Sequence, residues 1–501
     1  MENEPTTLDA ALDENRRLRS ENAALRTEVA ELRAENAELK AKLTEVSAEL
    51  LRIKEILGLN SQNSSKPPSS DMKKPLKKLG GLGRPRGGQK GHQGTHRELW
   101  PEELLTEQIE CPPVKQCPCG GRVELQSGVA RRQVFELPEI QPEVREYKIL
   151  SGVCCTCGKN HQGPLPVGVP KGIVGPRLMA WMSFLASYFH LSKVKIQLLV
   201  FELMGVHLST GTISSQEDLV SGALEPIYAE AHTHIKTAAY LHVDETGFRQ
   251  GNADGNNPKA TKAWIWTAVS THVTLFLIQL GRGKTQAQRL MGEAFLGTVC
   301  SDRWGAYAWV PIYRRSLCWA HLLRDFQRMA ERDNALTPIA EHLIGATRDV
   351  FEWHQAWKQD ELTDAEYHGR VRLIRADVEI QLNAATAFTN DSDKLLAQSA
   401  AFCQRLLKDQ VALWTHTYSK EIEPSNNKAE RALRQLVVWR KVCYGTQSLR
   451  GSEFLQRIFT VIASCQQQQR GILHFLTQAV KAHFMSDSPP SLVPELNHAV
   501  T

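Results

Sequence analysis

Between Leu8 and Leu57 the sequence keeps a seven-residue rhythm, and no other stretch of the chain restricts its own fold so tightly. Leu18, Leu25, Leu32, Leu39, Val46 and Ile53 fall one heptad apart at d positions, and Asn15, Asn22, Val29, Asn36, Leu43, Leu50 and Leu57 take the matching a positions. Charged residues such as Glu21, Arg26, Glu31 and Arg33 fill much of the rest. A helix that is polar all round except for one narrow apolar seam needs a second seam to cover it. The expected rod is ~75 Å long at 1.5 Å per residue. An Asn at an a position weakens the seam but pairs with its own copy across a parallel two-stranded coil, fixing register. Residues 1–59 are therefore expected to be a parallel coiled coil that makes a homodimer. The alternative is a solvated single helix lying on its own protein.

A chain of 501 residues is too long for one core, so two to four domains are expected. The 42% hydrophobic and 23% charged residues are those of a soluble globular protein. No run of eighteen apolar residues is present and the N-terminus is acidic, which predicts no membrane span, no signal peptide and a cytoplasmic location. Eleven cysteines are too few to staple a chain of this size. Six of them lie between Cys111 and Cys157, a crowding that points to metal.

The net charge of +5 is modest but unevenly spread. Residues 60–100 form a basic linker of Pro, Gly and Ser with little to bury. Its Lys73, Lys74, Lys77, Lys78, Arg84, Arg86 and Lys90 face only Asp71 as an acidic neighbour. Such an arm neutralises phosphates and releases counterions, which predicts salt-sensitive DNA affinity. The stretch Gly83–Gly87 with its two arginines also suits a narrow minor groove, a solubilising linker being the plain alternative for that contact.

Residues 101–165 carry two cysteine knuckles, "CPCGG" and "CCTCGK", with "RRQVFELPEI" and "VREYKIL" between them expected as strands. Four thiolates, from Cys117, Cys119, Cys154 and Cys157, would hold one structural Zn²⁺ and stabilise the module. The first knuckle has a single residue between its cysteines, so Cys111 and His161 stand as alternative ligands. Residues 166–235 are rich in helix formers. An apolar helix, a turn at Gly205 and an N-cap at Ser209 or Thr210 outline a helix-turn-helix.

From residue 236 the pattern turns to strands. "TAAYLHVDETGF" carries Asp244, "KAWIWTAVS" and "HVTLFLIQL" follow, and "GTVCSD" ends at Asp302. Strand ends of this kind are where open α/β sheets place ligands. "EPSNNKAERALRQLVVWRK" then predicts a capped helix containing Glu430. Separated carboxylates suit phosphodiester chemistry, in which two hard cations activate the attacking oxygen and steady the leaving one.

The words around these residues carry the specificity. "NSSKPPSSD", "GGQKGHQGTHR", "VDET", "SDRWGAY", "CWAHLLRDF" and "NNKAERALR" occur in this order, and in them the chain resembles the insertion sequence 66 transposase family, a branch of the Asp-Asp-Glu transposases. The resemblance runs from the heptads to about residue 480. It implies a multidomain protein with an α/β, ribonuclease-H-like catalytic core over 236–445, a helical insertion at about 325–420 and a C-terminal helical extension over 446–501. It implies that Asp244, Asp302 and Glu430 bind two Mg²⁺ or Mn²⁺ ions. The expected activity is DNA cleavage and strand transfer of an insertion element, with binding to its terminal inverted repeats and to target DNA, and with accessory proteins of the same element as further partners. Two departures stand out. The family's first knuckle usually reads Cys-x-x-Cys, and Pro-Ser here precedes the asparagine pair where an Asp is commoner.

Other residues have two readings each. Cys318 and His321 either line the active site or pack at a helix start. Arg431 and Arg434 either hold DNA phosphates or make ordinary helix ion pairs. Trp304 either stacks on a base or fills a core. Glu245, next to Asp244 on a strand, is expected to face the other way. Against the enzyme stands a transposase-derived DNA-binding regulator without chemistry. A covalent Tyr or Ser recombinase lacks a motif in this chain.

Overall fold

The computed structural model describes residues 7–60, 98–125 and 130–494. Along the chain, α1 (Thr7–Gly58) is followed by the hairpin β1 (Ser151–Val153) and β2 (Asn160–Gln162). Three helices come next, α2 (Pro176–Ser187), α3 (Lys193–Met204) and α4 (Thr210–Thr237). The strands β3 (Tyr240–Phe248), β4 (Ala263–Val269) and β5 (Thr274–Leu280) precede α5 (Lys284–Met291) and β6 (Thr298–Ser301). After β7 (Arg315–Leu317) come α6 (Trp319–Ala330), α7 (Thr337–Lys358), α8 (Asp364–Thr386), α9 (Lys394–Lys408) and α10 (Gln410–Leu413). The chain closes with α11 (Asn427–Cys443), α12 (Leu449–Gln467) and α13 (Ile472–Met485).

The fold has a long N-terminal helix, a mixed α/β body with a sheet, and many further helices. It divides into two compact units. One holds α1 and residues Arg315–Ser425; the other holds the described residues from 98 to Arg314 and from Asn426 on. In α1 the heptad residues Leu25, Leu32, Leu39 and Leu43 are all exposed. In the helical stretch of the same unit, Tyr367 stacks on Trp357 with ring centroids 4.2 Å apart. His354 and His416 are buried there, and burial pushes their pKa values down to about 4 and about 3, so both are neutral at physiological pH.

In the other unit the neighbouring strands run β5-β4-β3-β6. The first three pair antiparallel, while β6 joins β3 in parallel. Val243, Ile265, Trp266, Leu275 and Phe276 are buried, so both faces of this sheet are covered. Beyond its pairing with β4, strand β5 would leave the N–H groups of Thr274, Phe276 and Ile278 bare. Helix α12 meets them with Ser464 Oγ at 3.1 Å, Thr460 Oγ1 at 3.0 Å and Gln456 Oε1 at 2.9 Å. Four helix residues advance ~6.0 Å and two strand residues ~6.7 Å, so polar residues at i, i+4 keep step with alternate strand N–H groups.

The strands expected over 131–140 and 144–150 do not form; the described residues there have no regular secondary structure. Val134, Leu137, Val144 and Leu150 are exposed, so no apolar face rewards pairing. Instead the Gln133 side-chain amide brackets the Trp100 backbone, accepting its N–H at 2.8 Å and donating to its C=O at 3.0 Å.

Between α3 and α4, Gly205 takes a left-handed φ of 66°, and Ser209 Oγ accepts the Thr212 N–H at 3.0 Å. The helix that follows is 28 residues long.

Candidate active site and thiol knuckles

Asp244 sits in the middle of β3 and Asp302 one residue past the end of β6. The parallel register pairs Tyr240 with Thr298, Leu241 with Val299 and His242 with Cys300. Two residues beyond the last pair in each strand are Asp244 and Asp302, which the register therefore sets level on neighbouring strands, ~4.8 Å apart in backbone. Asp302 Oδ1 accepts the Trp304 N–H at 2.9 Å, and Asp244 Oδ1 accepts the Glu245 N–H at 2.9 Å.

Glu430 lies in the first turn of α11. The expected side-chain cap of this helix is absent at Asn426. The Asn426 amide instead donates to the Val243 carbonyl at 2.7 Å, tying the start of α11 to the strand residue just before Asp244. Glu430, four residues on, falls on the same side of the helix. The far end of α11 is tied as well, because Arg440 donates to Thr246 Oγ1 at 2.8 Å and to the Gly247 carbonyl. Gly445, at φ 103°, then passes so close to β3's continuation that a Cβ there would lie 2.2 Å from the Arg249 carbonyl oxygen. No side chain fits that approach.

Other carboxylates act on Asp244. Burial raises Asp244 well above the usual carboxylate range, and the charges of Glu245, Asp302 and Glu430 push it the same way. Such crowded acids are what a divalent cation relieves. Glu245 has partners of its own, although its charge raises Asp244 more than that of Asp302 or Glu430. Its buried carboxylate pairs with Arg282 Nη2 at 2.7 Å and accepts the Tyr307 hydroxyl. Burial raises Glu245 too, while Tyr307 and Arg282 oppose the rise. The partners of Asn426 and Glu245 were not legible in the sequence, because they lie far along the chain.

Arg431 and Arg434 are exposed on α11. Lys73, Lys74, Lys77, Lys78, Arg84, Arg86 and Lys90 lie outside the described residues. Cys318 is buried at the start of α6 in the helical unit, and His321 is half-buried one turn in. Next to Cys318, Trp319 is buried and its indole donates to the Leu413 carbonyl at 2.8 Å.

The two knuckles are one turn at two lengths. In the longer, the Cys154 N–H donates to the Lys159 carbonyl and its C=O accepts the Gly158 N–H, each at 2.9 Å. In the shorter, the Cys117 N–H donates to the Gly121 carbonyl at 2.9 Å and its C=O accepts the Gly120 N–H at 2.8 Å. Each bond thus spans one residue fewer. Gly120 and Gly158 both have positive φ, 90° and 71°. Backbone N–H groups of Cys157 and Thr156 and the Cys157 thiol lower the Cys154 pKa. The Gly121 N–H and the Cys117 thiol lower that of Cys119. Thiols so placed suit a thiolate-binding cation, and they are brought together in pairs. Among the described residues the four do not form one cluster.

A family model described as the IS66 family of transposases matches residues 171–454, and one described as a family of unknown function matches residues 14–98. The chain is also similar to an uncharacterized protein, y4hP, of Sinorhizobium fredii (strain NBRC 101917 / NGR234). The two are 25% identical over 415 residues, which covers 74% of this chain and 71% of that protein. The transposase match spans α2 through the sheet, the insertion and α11, more than half of the sequence, and the chain belongs to the IS66 family of transposases.

Proposed function

We propose that the protein is a metal-dependent DNA transposase whose reacting centre is Asp244, Asp302 and Glu430. This reading is carried by the register that sets Asp244 level with Asp302, and by the Asn426–Val243 bond that seats the α11 turn carrying Glu430 on β3. The sheet order, with three antiparallel strands and a fourth parallel to the first, supports a ribonuclease-H-like core. The three side chains would hold Mg²⁺ or Mn²⁺, two per site, since hard oxygen donors and repelling charges suit hard cations. When bound, such ions lower the cost of the charge that develops on the attacking and leaving oxygens of a phosphodiester.

The chain's own part is placement. Asn426 and Arg440 hold α11 on β3, so Glu430 stays beside Asp244 without rearrangement during the reaction. Water attacks the phosphodiester at an element end, and the 3′-hydroxyl released attacks target DNA, with one P–O bond made and one broken each time. Exposed Arg431 and Arg434 would take flanking phosphates, together with the basic arm of residues 60–100. The knuckle and helical regions would bind the terminal inverted repeats. In the knuckles, Cys117, Cys119, Cys154 and Cys157 would share one Zn²⁺ whose binding draws the two turns together, each supplying two thiolates. The exposed seam of α1 would close on the same seam of a second copy. Among the described residues no helix is long and apolar enough to cross a membrane, which accords with action in the cytoplasm.

The test is joining of a labelled terminal-repeat oligonucleotide to plasmid DNA in Mg²⁺. Glu430→Gln should lose on the order of 10²–10³-fold in rate, the cost of removing one preorganised electrostatic partner. Joining at the wild-type rate by that variant would remove Glu430 from the site. If neither protein joins, a thermal shift with Mg²⁺ decides: its absence in wild type overturns the metal site.

A further inference from the structure

Trp304 lies two residues after Asp302, and its side chain is 40% exposed despite being the largest type a core can hold. It is nevertheless held in place. Its N–H donates to Asp302 Oδ1 at 2.9 Å and its indole N–H to the Arg282 carbonyl at 3.2 Å. The Arg282 guanidinium lies 4.0 Å from the centroid of the indole ring, and 4.6 Å from that of Trp264. That guanidinium is in turn fixed by the buried Glu245 carboxylate, at 2.7 and 2.8 Å. Glu245 also accepts the hydroxyl of the fully buried Tyr307. The space alongside is open, since a Cβ built at Gly305 meets nothing within 4 Å.

An aromatic ring that is anchored by this many contacts yet left partly exposed is a surface prepared for a flat partner. Rigid placement removes the ordering cost that a free indole would carry into binding. The guanidinium beside it adds a cation to the platform, and stacked base, indole and Arg are mutually favourable. The Trp304 backbone N–H bonds Asp302, so the residue that carries this surface directly adjoins one candidate metal-binding carboxylate. We propose that Trp304 stacks on an unpaired DNA base next to the phosphodiester that is cut, with Arg282 and Glu245 as positioning residues. The proposal rests on the reading of Asp244, Asp302 and Glu430 as the reacting centre. Stacking is sequence-tolerant, so Trp304 would hold the strand at the cut and leave recognition to other contacts.

The experiment uses the full chain in Ca²⁺, to hold back chemistry, and duplexes carrying the element end. 2-Aminopurine is placed in turn at each position flanking the cut. At one position its emission should differ between wild type and Trp304→Ala, while Glu430→Gln gives the wild-type signal. An abasic site at that position should weaken wild-type binding by roughly five- to a hundredfold, the usual range for one stacked base. It should leave Trp304→Ala unchanged, and Trp304→Phe should keep most of the penalty. Equal emission in wild type and Trp304→Ala at every position, or an equal abasic penalty, overturns the proposal. A stacking signal in a wild type that never joins DNA leaves the platform standing and removes the proposed chemistry. If Trp304→Ala melts early, Trp304→Leu makes the same test, because it covers the Arg282 stem without offering a ring.

Discussion

Cysteine occurs in two settings here, and the physics acting on it is opposite. In the knuckle segment, Cys154 is held in a five-residue turn where backbone N–H groups and a second thiol favour the thiolate. In α12, Cys465 is fully buried in the α/β body, and burial pushes its thiol up to about 11. Turn geometry decides the first and packing decides the second. The comparison extends beyond cysteine. The body satisfies its sheet edge with side chains from more than 170 residues away, as between Ile278 and Gln456. The knuckle segment leaves Val134, Val144 and Leu150 exposed and orders itself through neighbours. Such a segment needs a ligand to gain stability, whereas a body of this kind does not.

The largest expected effect follows from the thiols. In chelator-treated protein at pH 8, iodoacetamide should alkylate Cys154 and Cys119 faster than Cys465 by at least about a hundredfold. The thiolate is the reactive form, so each rate rises as pH passes the thiol's pKa. For Cys154 and Cys119 that midpoint falls below the ordinary 9.0, and for Cys465 it falls near 11. Mass spectrometry of the labelled peptides reads both, and equal rates would break the comparison. One equivalent of Zn²⁺ should then protect Cys117, Cys119, Cys154 and Cys157 together; protection of one knuckle alone would refute the shared site.

A smaller effect probes the body. Thr460→Val removes the acceptor of the Phe276 N–H while keeping the shape. The stranded donor should cost about 1–3 kcal/mol, seen as a lower Tm with no change in Cys154 labelling. An unchanged Tm would mean that the edge does not depend on α12's polar stripe. The smallest effect sharpens the other side. Gly158→Ala meets no atom within 4 Å, so only the left-handed φ of 71° opposes it. That strain is about 1 kcal/mol. Cys154 alkylation should slow severalfold while the Tm of the body stays put, and a shift in Tm would show that turn and body are coupled.

Much of the architecture was legible in the residues. The heptads of α1, the apolar strands around Asp244 and the strand that ends before Asp302 all follow local periods that short windows reveal. Gly205 and Ser209 punctuate α3 and α4 through turn and cap chemistry that needs no distant partner. The same local logic misled at residues 131–150. β-branched and aromatic residues there suit a strand, but a strand also requires a ladder and a face to bury. The cap expected on α11 fails for a related reason: the amide of its N-cap residue, Asn426, found a carbonyl on β3, 183 residues away.

By itself, then, the sequence determined which segments are helix or strand, where the charged and thiol residues cluster, and, through six short words, the family. Tertiary structure alone decided that Asn426 ties the start of α11 to β3, that Glu245 serves Arg282 and Tyr307, that Gln456, Thr460 and Ser464 close the sheet edge, and that Trp304 stays partly exposed. Periodicity and turn chemistry act over a few residues and leave a mark in any short window. Pairings between residues tens to hundreds of positions apart leave no such mark, because many sequences satisfy the same local rules and only the packed chain selects the partners.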